Sequence, residues 1–551
     1  MASPRPPGVT AASFAAALAA FRGALGAEHV LDGDAALEPY RDPYSFRWGD
    51  ADEYRASAAV LPGTAEQVQA VVRIAGQYRL PVYPISTGRN LTYGGAAPSA
   101  PGSVIVDLKR MNRILAVDAG RNFALVEPGA TYFDLYRHIQ AKGLNLWLDV
   151  PDTGDGSLIG NALDRGVGYT TSGFRDHFGA HCGIEAVLPT GEILRTGMGA
   201  LPGSDTWQDF RYGIGPCVDG LFSQGNFGIV TKMGFWLSPQ PEAWMVGIVS
   251  VPDYTDLGPM IEQVNYLEDA GVMTGKPSYN SPPFHTFEGT FPSAPPKMHI
   301  DELMADGWPS LERIKFYARR HGGPAWRITL QFYGPEATVR ASWDYVQARI
   351  GAALPRATFQ SADPVALPLS PAQQRGRRLV DFGIPSNQAF EMTPAEAEAA
   401  ELNAPVQGYV DFMAVVPRTA EAVHRAQRVL YETQKAMGAP ITATPFNAPT
   451  CWFHRSFLMG APTVAAFKGD PEARRKGRAL YAAYAKAMAA EGFGLHRTSP
   501  AMQDLTAGLY GFNDHALLGF QQRLKGTADP AGILAPGRYG VWPRQLRKGG
   551  V

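Results

Sequence analysis

The stretch Tyr83-Pro84-Ile85-Ser86-Thr87-Gly88-Arg89-Asn90-Leu91-Thr92-Tyr93-Gly94-Gly95 constrains this chain more than any other. Its three glycines follow directly on the β-rich run Leu80-Pro81-Val82-Tyr83. Such backbone approaches a guest closely and offers it N–H groups, so an anion such as a pyrophosphate is the natural ligand. Neither a Gly-x-Gly-x-x-Gly opening a helix nor a Gly-Lys-Ser/Thr ending is present, which sets aside the two familiar nucleotide loops. A second glycine-rich segment runs from Gly154 to Gly168, and a third is Gly225-Asn226-Phe227-Gly228-Ile229. One such cluster alone reads as turns. Three together suggest one long ligand laid between lobes.

At 551 residues the chain is too long for one core, and length suggests roughly two to four domains. With 50 basic and 51 acidic residues the formal net charge is -1, so nothing recommends nucleic acid or an anionic membrane as partner. Cys182, Cys217 and Cys451 are too few and scattered for a disulfide framework and fit a reducing compartment. The alanine-rich start carries early prolines and is interrupted by Arg22, so it reads as an amphipathic surface helix, and a cytoplasmic location is expected. No run approaches the roughly 18 apolar residues that span a bilayer.

Residues 58–88 alternate strand, helix, strand: Ala58 to Leu61, then a helix opened by Thr64 and Gln67 with Val68, Val71, Val72 and Ala75 at helical spacing. The period then changes to two over Ser103–Leu108, Ile114–Val117 and Phe123–Glu127. Thr131 caps a helix that points Leu135 and Ile139 inward and stops at Gly143. After Pro239 a unit of strand, proline and capped helix recurs, over 244–267, 326–350 and 409–437. Such repetition argues for an α+β cap on an antiparallel sheet. Residues 276–312 read as a long surface or lid loop, and a last cap helix runs from Asp470-Pro471 to Gly492. The expected organisation is 1–238 with 499–551 as one domain and 239–498 as the cap. His177 and His181, with Asp176 and Cys182, form a weak metal candidate, and no metal site is assigned.

The runs GRNLTYGGAAPSAPGSVIVDLKRMNRIL, VEPGATYFDLYRHI, GNALDRGVGYT, LPTGEILRTGMGALPGS, QGNFGIVTKMGFWLSP and ADPAGILAPGRYGVWP resemble, in order, the flavoprotein family of vanillyl-alcohol oxidase, eugenol oxidase and 4-cresol dehydrogenase. The resemblance implies a two-lobed FAD-binding domain and a substrate cap, hence an α+β fold. It implies FAD extended across the first domain, its pyrophosphate on Ser86, Thr87, Gly88, Arg89, Asn90, Leu91, Gly94 and Gly95. By the same matching Gly160, Asn161, Asp164, Gly168, Ile229 and Arg538 contact the cofactor.

Residue by residue, Tyr93 matches a tyrosine and Arg497 an arginine that hold the substrate phenol as a phenolate. Asp152 matches an acid beside flavin N5, and Tyr169 a tyrosine lining the same pocket. An arginine favours the anion of a phenol whose pKa is ~10. The implied reaction is hydride transfer from the para benzylic carbon to flavin N5, leaving a quinone methide. The sequence departs from the family twice. His496 stands where a second phenol-binding tyrosine is expected, and a histidine can donate to a phenolate or act as a base. In Gly408-Tyr409-Val410-Asp411-Phe412, Tyr409 replaces the histidine that tethers flavin in the oxidases. Non-covalent FAD is therefore expected, with a tether at Tyr409 as the other option. His454 reads as a packed or supporting histidine.

The expected function is oxidation of para-substituted phenols with O2 as acceptor, by a homodimer or an assembly of dimers. The alternatives are a cytochrome- or carrier-linked dehydrogenase, an oxidase of a non-phenolic alcohol that uses His496, and a flavin-binding protein without turnover.

Overall fold

The computed structural model describes residues 4–170, 174, 176–282, 303–320, 322–388, 407–439, 450–453, 455–467 and 469–546. Strands β1 (Val30–Leu31), β2 (Ala58–Val60), β3 (Val82–Ile85) and β4 (Val104–Asp107) form one sheet in the order β1-β2-β4-β3. The last three are parallel, and the helix Ala65–Tyr78 makes the crossover from β2 to β3. That helix starts where the Thr64 hydroxyl accepts the Gln67 N–H, and it buries Val68, Val71, Val72 and Ala75. The N-terminal helix Ala11–Leu25 adds Ala17, Leu18, Phe21 and Leu25 to the same core. Each large apolar side chain so buried contributes roughly 1.5–3 kcal/mol.

The second lobe is an antiparallel sheet of β5 (Ile114–Asp118), β6 (Phe123–Val126), β8 (His181–Val187), β9 (Ile193–Arg195) and β10 (Ile229–Trp236), ordered β5-β6-β10-β8-β9. A separate ribbon pairs β7 (Leu146–Trp147) with β11 (Ser238–Pro239). Thr131 and Asp134 close a capping box at the start of helix Tyr132–Ala141, which lays Leu135 and Ile139 on this core. Gly143 then takes φ +60°, a left-handed turn that suits glycine.

The cap is an eight-stranded antiparallel sheet: β12 (Ala243–Val251), β13 (Ser278–Asn280), β14 (Trp326–Gly334), β15 (Thr358–Ser361), β16 (Val365–Ala366), β17 (Gln407–Pro417), β18 (Thr450–Phe453) and β19 (Ser456–Phe467). The order is β15-β12-β14-β13-β18-β19-β17, with β16 paired to β12. Helices Leu257–Asp269, Glu336–Ala353, Ala420–Ala436 and Pro471–Ala490 share one core with the sheet. On β17, Val410, Phe412, Ala414 and Val416 are fully buried in that core, and Phe412 meets the rings of Tyr481 and Tyr484. Alternation turns the intervening side chains to the other face. The fold is thus α+β, a two-lobed domain with a cap on an antiparallel sheet.

The expected loop over 276–312 is corrected in part. Ser278–Asn280 is an interior strand between β14 and β18, and Leu303 and Met304 are buried. Three residues between prolines are too few to show a period of two, so the strand owes its existence to its neighbours. Residues 283–302 lie outside the described residues.

The C-terminal segment returns to the first lobe. Val82 donates to Ile533 O, Ala535 donates to Val82 O, and the Asn226 amide donates to Ala535 O and Val541 O. Lys525, fully buried, pairs with Asp529 at 2.8 Å and donates to Asn226 O and Leu534 O. Lys525→Met would leave the Asp529 carboxylate buried without its cation, a cost of about 3–5 kcal/mol. The expected outcome is a lower urea midpoint at unchanged slope; an unshifted midpoint would refute it.

Candidate active site

A cleft open to solvent lies between the first lobe, the second glycine segment and the C-terminal return, with room of about 150 Å³ for small guests. The glycine loop supplies one wall through Ser86, Thr87, Gly88, Arg89, Asn90 and Gly95. Among the described residues, no protein acceptor takes the amides of Thr87, Gly88, Arg89 or Asn90. Gly88 sits at φ +72°, and a Cβ there would lie 2.9 Å from the Ala96 Cβ, so only glycine brings the loop in this close. The opposite wall carries Gly160, Asn161, Asp164 and Ile229, with Arg538 at one end and Tyr93 and Asp152 also facing the space. Gly160 belongs to the short helix Leu158–Leu163, started by the Ser157 hydroxyl, and packs 3.0 Å (as a virtual Cβ) from Ser86 Oγ.

Asp164, 2% exposed, is the hub of this wall. Its carboxylate accepts from Asn90 Nδ2 at 2.7 Å, Arg538 Nη2 at 3.0 Å and Tyr539 Oη at 2.9 Å, and it pairs with Arg497 at 3.8 Å. Arg538 also donates to Tyr83 Oη. Asp164 therefore holds the ligand-facing arginines and the glycine loop in place.

Arg497 is delivered by the cap. Residues 494–496 run antiparallel along β17: Val415 donates to Gly494 O, His496 donates to Met413 O, and Ala414 bridges Leu495. The Arg497 guanidinium then lies 4.1 Å over the Tyr93 ring. The Tyr93 hydroxyl is buried and has no hydrogen-bond partner among the described residues. Burial, and next the charge of Asp411, raise the Tyr93 pKa, so this phenol stays protonated. His496 Nε2 lies 3.0 Å from Arg165 O, and because a carbonyl only accepts, that nitrogen carries the proton. Burial and the Arg497 charge push the imidazole down to about 3, so it is neutral.

A second charged group forms around Tyr169. Arg378 lies 4.0 Å and Lys276 3.9 Å from the ring centroid, and Arg378 pairs with Asp152 at 3.5 Å. Burial raises the Tyr169 pKa and lowers that of Lys276.

The structure thus brings Tyr93 and Arg497 together, and Asp152 and Tyr169 together through Arg378. Gly94 and Gly168 serve packing: a Cβ at Gly94 would lie 2.6 Å from Pro500, and one at Gly168 2.0 Å from Asp149. Leu91 continues the loop outside the cleft lining. Gly225 and Gly228 line the cleft, yet their virtual Cβ atoms meet Leu221 O and the Phe222 ring, so protein contacts also require them. Tyr409 lies in β17 opposite Ala465; its side chain and all of His454 lie outside the described residues. His177 faces Tyr132, Asn161 and Asp149, while His181 and Cys182 lie on β8 and His181 faces Asp219, so the four candidate metal donors do not share a helix face. Among the described residues no group of three such donors is placed to hold a metal. Nor is any helix among them long and apolar enough to cross a membrane.

Sequence reasoning missed Asp411, Arg378, Lys276 and Tyr539. For Asp411 a signal existed, since it stands two residues after Tyr409 in a strand. Arg378 and Lys276 sit in irregular segments that carry none.

Cleft, glycine loops and cap define an FAD-dependent oxidoreductase. Residues 56–197 match the model of the FAD binding domain. The chain is 32% identical over 547 residues to the 4-cresol dehydrogenase [hydroxylating] flavoprotein subunit of Pseudomonas putida, covering 97% of each. It is 31% identical to 1'-carboxy-chondrochloren decarboxylase of Chondromyces crocatus, covering 96% of this chain and 98% of that protein. The solved 4-ethylphenol oxidase of Gulosibacter chungangensis superposes with a TM-score of 0.81 at 29% identity, covering 99% of this chain and 100% of that one. The chain belongs to the vanillyl-alcohol oxidase family of flavoproteins. The residues present fit FAD: uncommitted amides stand where a pyrophosphate needs donors, and the Arg538 guanidinium borders the same cleft.

The His496 environment has a measurable consequence. The unfolded chain binds a proton at this ring below its ordinary pKa of ~6.5, whereas the folded protein does so only near 3. Stability therefore falls as pH drops from 6.5 toward 3. His496→Gln removes this dependence, so its urea midpoint should decline less steeply across that window; an unchanged slope would show that the ring titrates normally.

Proposed function

We propose that the protein oxidises para-substituted phenols, namely 4-alkylphenols and vanillyl-type or allylic phenols, at the benzylic carbon of the para substituent through a quinone methide. The observation that carries this is Arg497 stacked on Tyr93, with the Tyr93 hydroxyl buried and unpartnered among the described residues. Leaving a buried hydroxyl without a partner costs about 1–3 kcal/mol, so it is held ready for a ligand oxygen. Arg497 keeps its charge at any physiological pH and favours a phenolate. Tyr93, a protonated donor, hydrogen-bonds the same oxygen, while His496 stays a neutral ring turned to Arg165 O.

The phenolate pushes electrons toward the para carbon, and bound FAD supplies the hydride acceptor. The amides of Thr87 to Asn90 would hold its pyrophosphate, with Arg538 adding positive charge. Asp152, paired with Arg378, serves as base for water addition or protonates the quinone methide, and Tyr169 walls the same side. The cofactor domain is 1–238 with 499–551, the cap is 239–498, and the unit is a cytoplasmic dimer or assembly of dimers. FAD is held non-covalently in this reading, with Tyr409 as the candidate tether, and O2 is the acceptor. Transfer to a carrier is the rival, favoured by the relative that is a dehydrogenase subunit. Oxidation of a non-phenolic alcohol loses support because His496, with its pKa pushed down to about 3, is a weak base.

Anaerobic mixing with a 4-alkylphenol and with its methyl ether tests the reading. Bleaching of the flavin by the phenol alone is expected, and bleaching by both would overturn the quinone-methide route. Acid precipitation of the same sample reports the linkage, yellow supernatant meaning dissociable FAD. Arg497→Ala should keep FAD bound yet lose roughly 10²–10³-fold in turnover of phenols, as for loss of a charge-stabilising donor. Wild-type rates in that variant would refute the clamp.

A further inference from the structure

We propose that Asp411 accepts the proton of the substrate hydroxyl as the phenol docks on Arg497. The inference rests on the phenol reading above and extends it. A phenol with pKa ~10 arrives neutral at pH 7, so binding as a phenolate needs a base within the site. In the step, the phenolic O–H bond breaks, an O–H bond forms on the Asp411 carboxylate, and the electron pair stays on the substrate oxygen beside Arg497. No co-reactant is consumed.

Asp411 sits on β17, on the face opposite the core residues Val410 and Phe412. The ladder to β19 shifts register between Val410 and Phe412, an irregularity of the kind that re-aims side chains beside active sites. Its Oδ2 accepts from Thr92 Oγ1 at 3.1 Å across the domain boundary. Thr92 holds φ +67°, a left-handed conformation rare for a β-branched residue, immediately before Tyr93. The charged and titratable groups that feel Asp411 are Tyr93 from the glycine loop, Arg497 from the segment along β17, and Tyr481 from helix Pro471–Ala490.

Among the described residues around Tyr93 and Arg497, the other candidate bases are committed elsewhere. Asp164 already receives Asn90, Arg538 and Tyr539. Asp152 is paired with Arg378 beside Tyr169. Tyr93 holds its own proton, and His496 is a donor to Arg165 O whose ring is a poor base. Among the described residues Asp411 has the Thr92 donor alone, and burial raises its carboxyl above the ordinary carboxylate range. Proton transfer also removes a carboxylate charge that would repel the phenolate, leaving Arg497 to face one anion in place of another.

The holoenzyme and its Asp411→Asn variant distinguish this from a structural role. At pH 7 the variant should lose roughly a hundredfold or more in kcat/KM on a 4-alkylphenol, the lower end expected for a lost acid–base group. The loss should shrink as pH rises toward the substrate pKa and on a more acidic ring-fluorinated analogue. An equal loss at every pH and on both phenols, or no loss, overturns the proposal. A second measurement uses wild type and 4-bromophenol, which has no benzylic hydrogen. Phenolate absorbance on binding, with no proton released to buffers of different ionisation enthalpy, is expected. Phenolate absorbance with one proton released overturns the assignment. Wild type whose flavin no phenol bleaches refutes the phenol reading and this step with it, a result seen before any variant is made.

Discussion

Asp164 accepts hydrogen bonds from Asn90 of the glycine loop and from Arg538 and Tyr539 of the C-terminal return, and it pairs with Arg497 beyond the last cap helix. Three segments far apart in the chain therefore converge on one buried carboxylate. Burying that charge is tolerable only because donors surround it, and the donors are in turn oriented by it. If the convergence is lost, the glycine loop, Arg538 and Arg497 lose their common reference. Site geometry and fold stability meet at this residue.

The cap contributes through β17. Its inner side chains fill the cap core while its outer face meets the glycine loop, so one strand both anchors the cap and furnishes the site. Pairing of residues 494–496 along its edge sets where Arg497 emerges, which makes its stacking on Tyr93 a product of strand register. A slip of one residue there would turn Arg497 away from Tyr93. The second charged group, Arg378 and Lys276 over Tyr169, likewise joins cap segments to a residue of the first domain. Both halves of the cleft thus depend on the cap being seated.

Legibility in the sequence followed locality. The helix Ala65–Tyr78 was readable from Thr64 and the spacing of Val68, Val71 and Val72, because cap and amphipathic face are encoded within a few residues. The helices Ala420–Ala436 and Pro471–Ala490 were readable for the same reason. Ser278–Asn280 was not, since a three-residue strand is stabilised by partners that the local sequence does not name. At Gly168, expected to contact the cofactor, the packing adds that the missing side chain makes room for Asp149. Asp411 was in plain view beside Tyr409, but its importance depends on Thr92, more than three hundred positions away.

By itself the sequence determined that backbone approaches a guest closely at three glycine clusters and that units of strand, proline and capped helix recur after Pro239. Those features reside in short blocks where residue type and spacing directly restrict conformation and hydrogen bonding. Only the tertiary structure decided which carboxylate became the buried hub, that His496 is held neutral, that Asp411 meets Thr92 and that Arg378 lies over Tyr169. Burial, charge and proton affinity are properties of neighbours brought together from distant parts of the chain, and no local pattern fixes them.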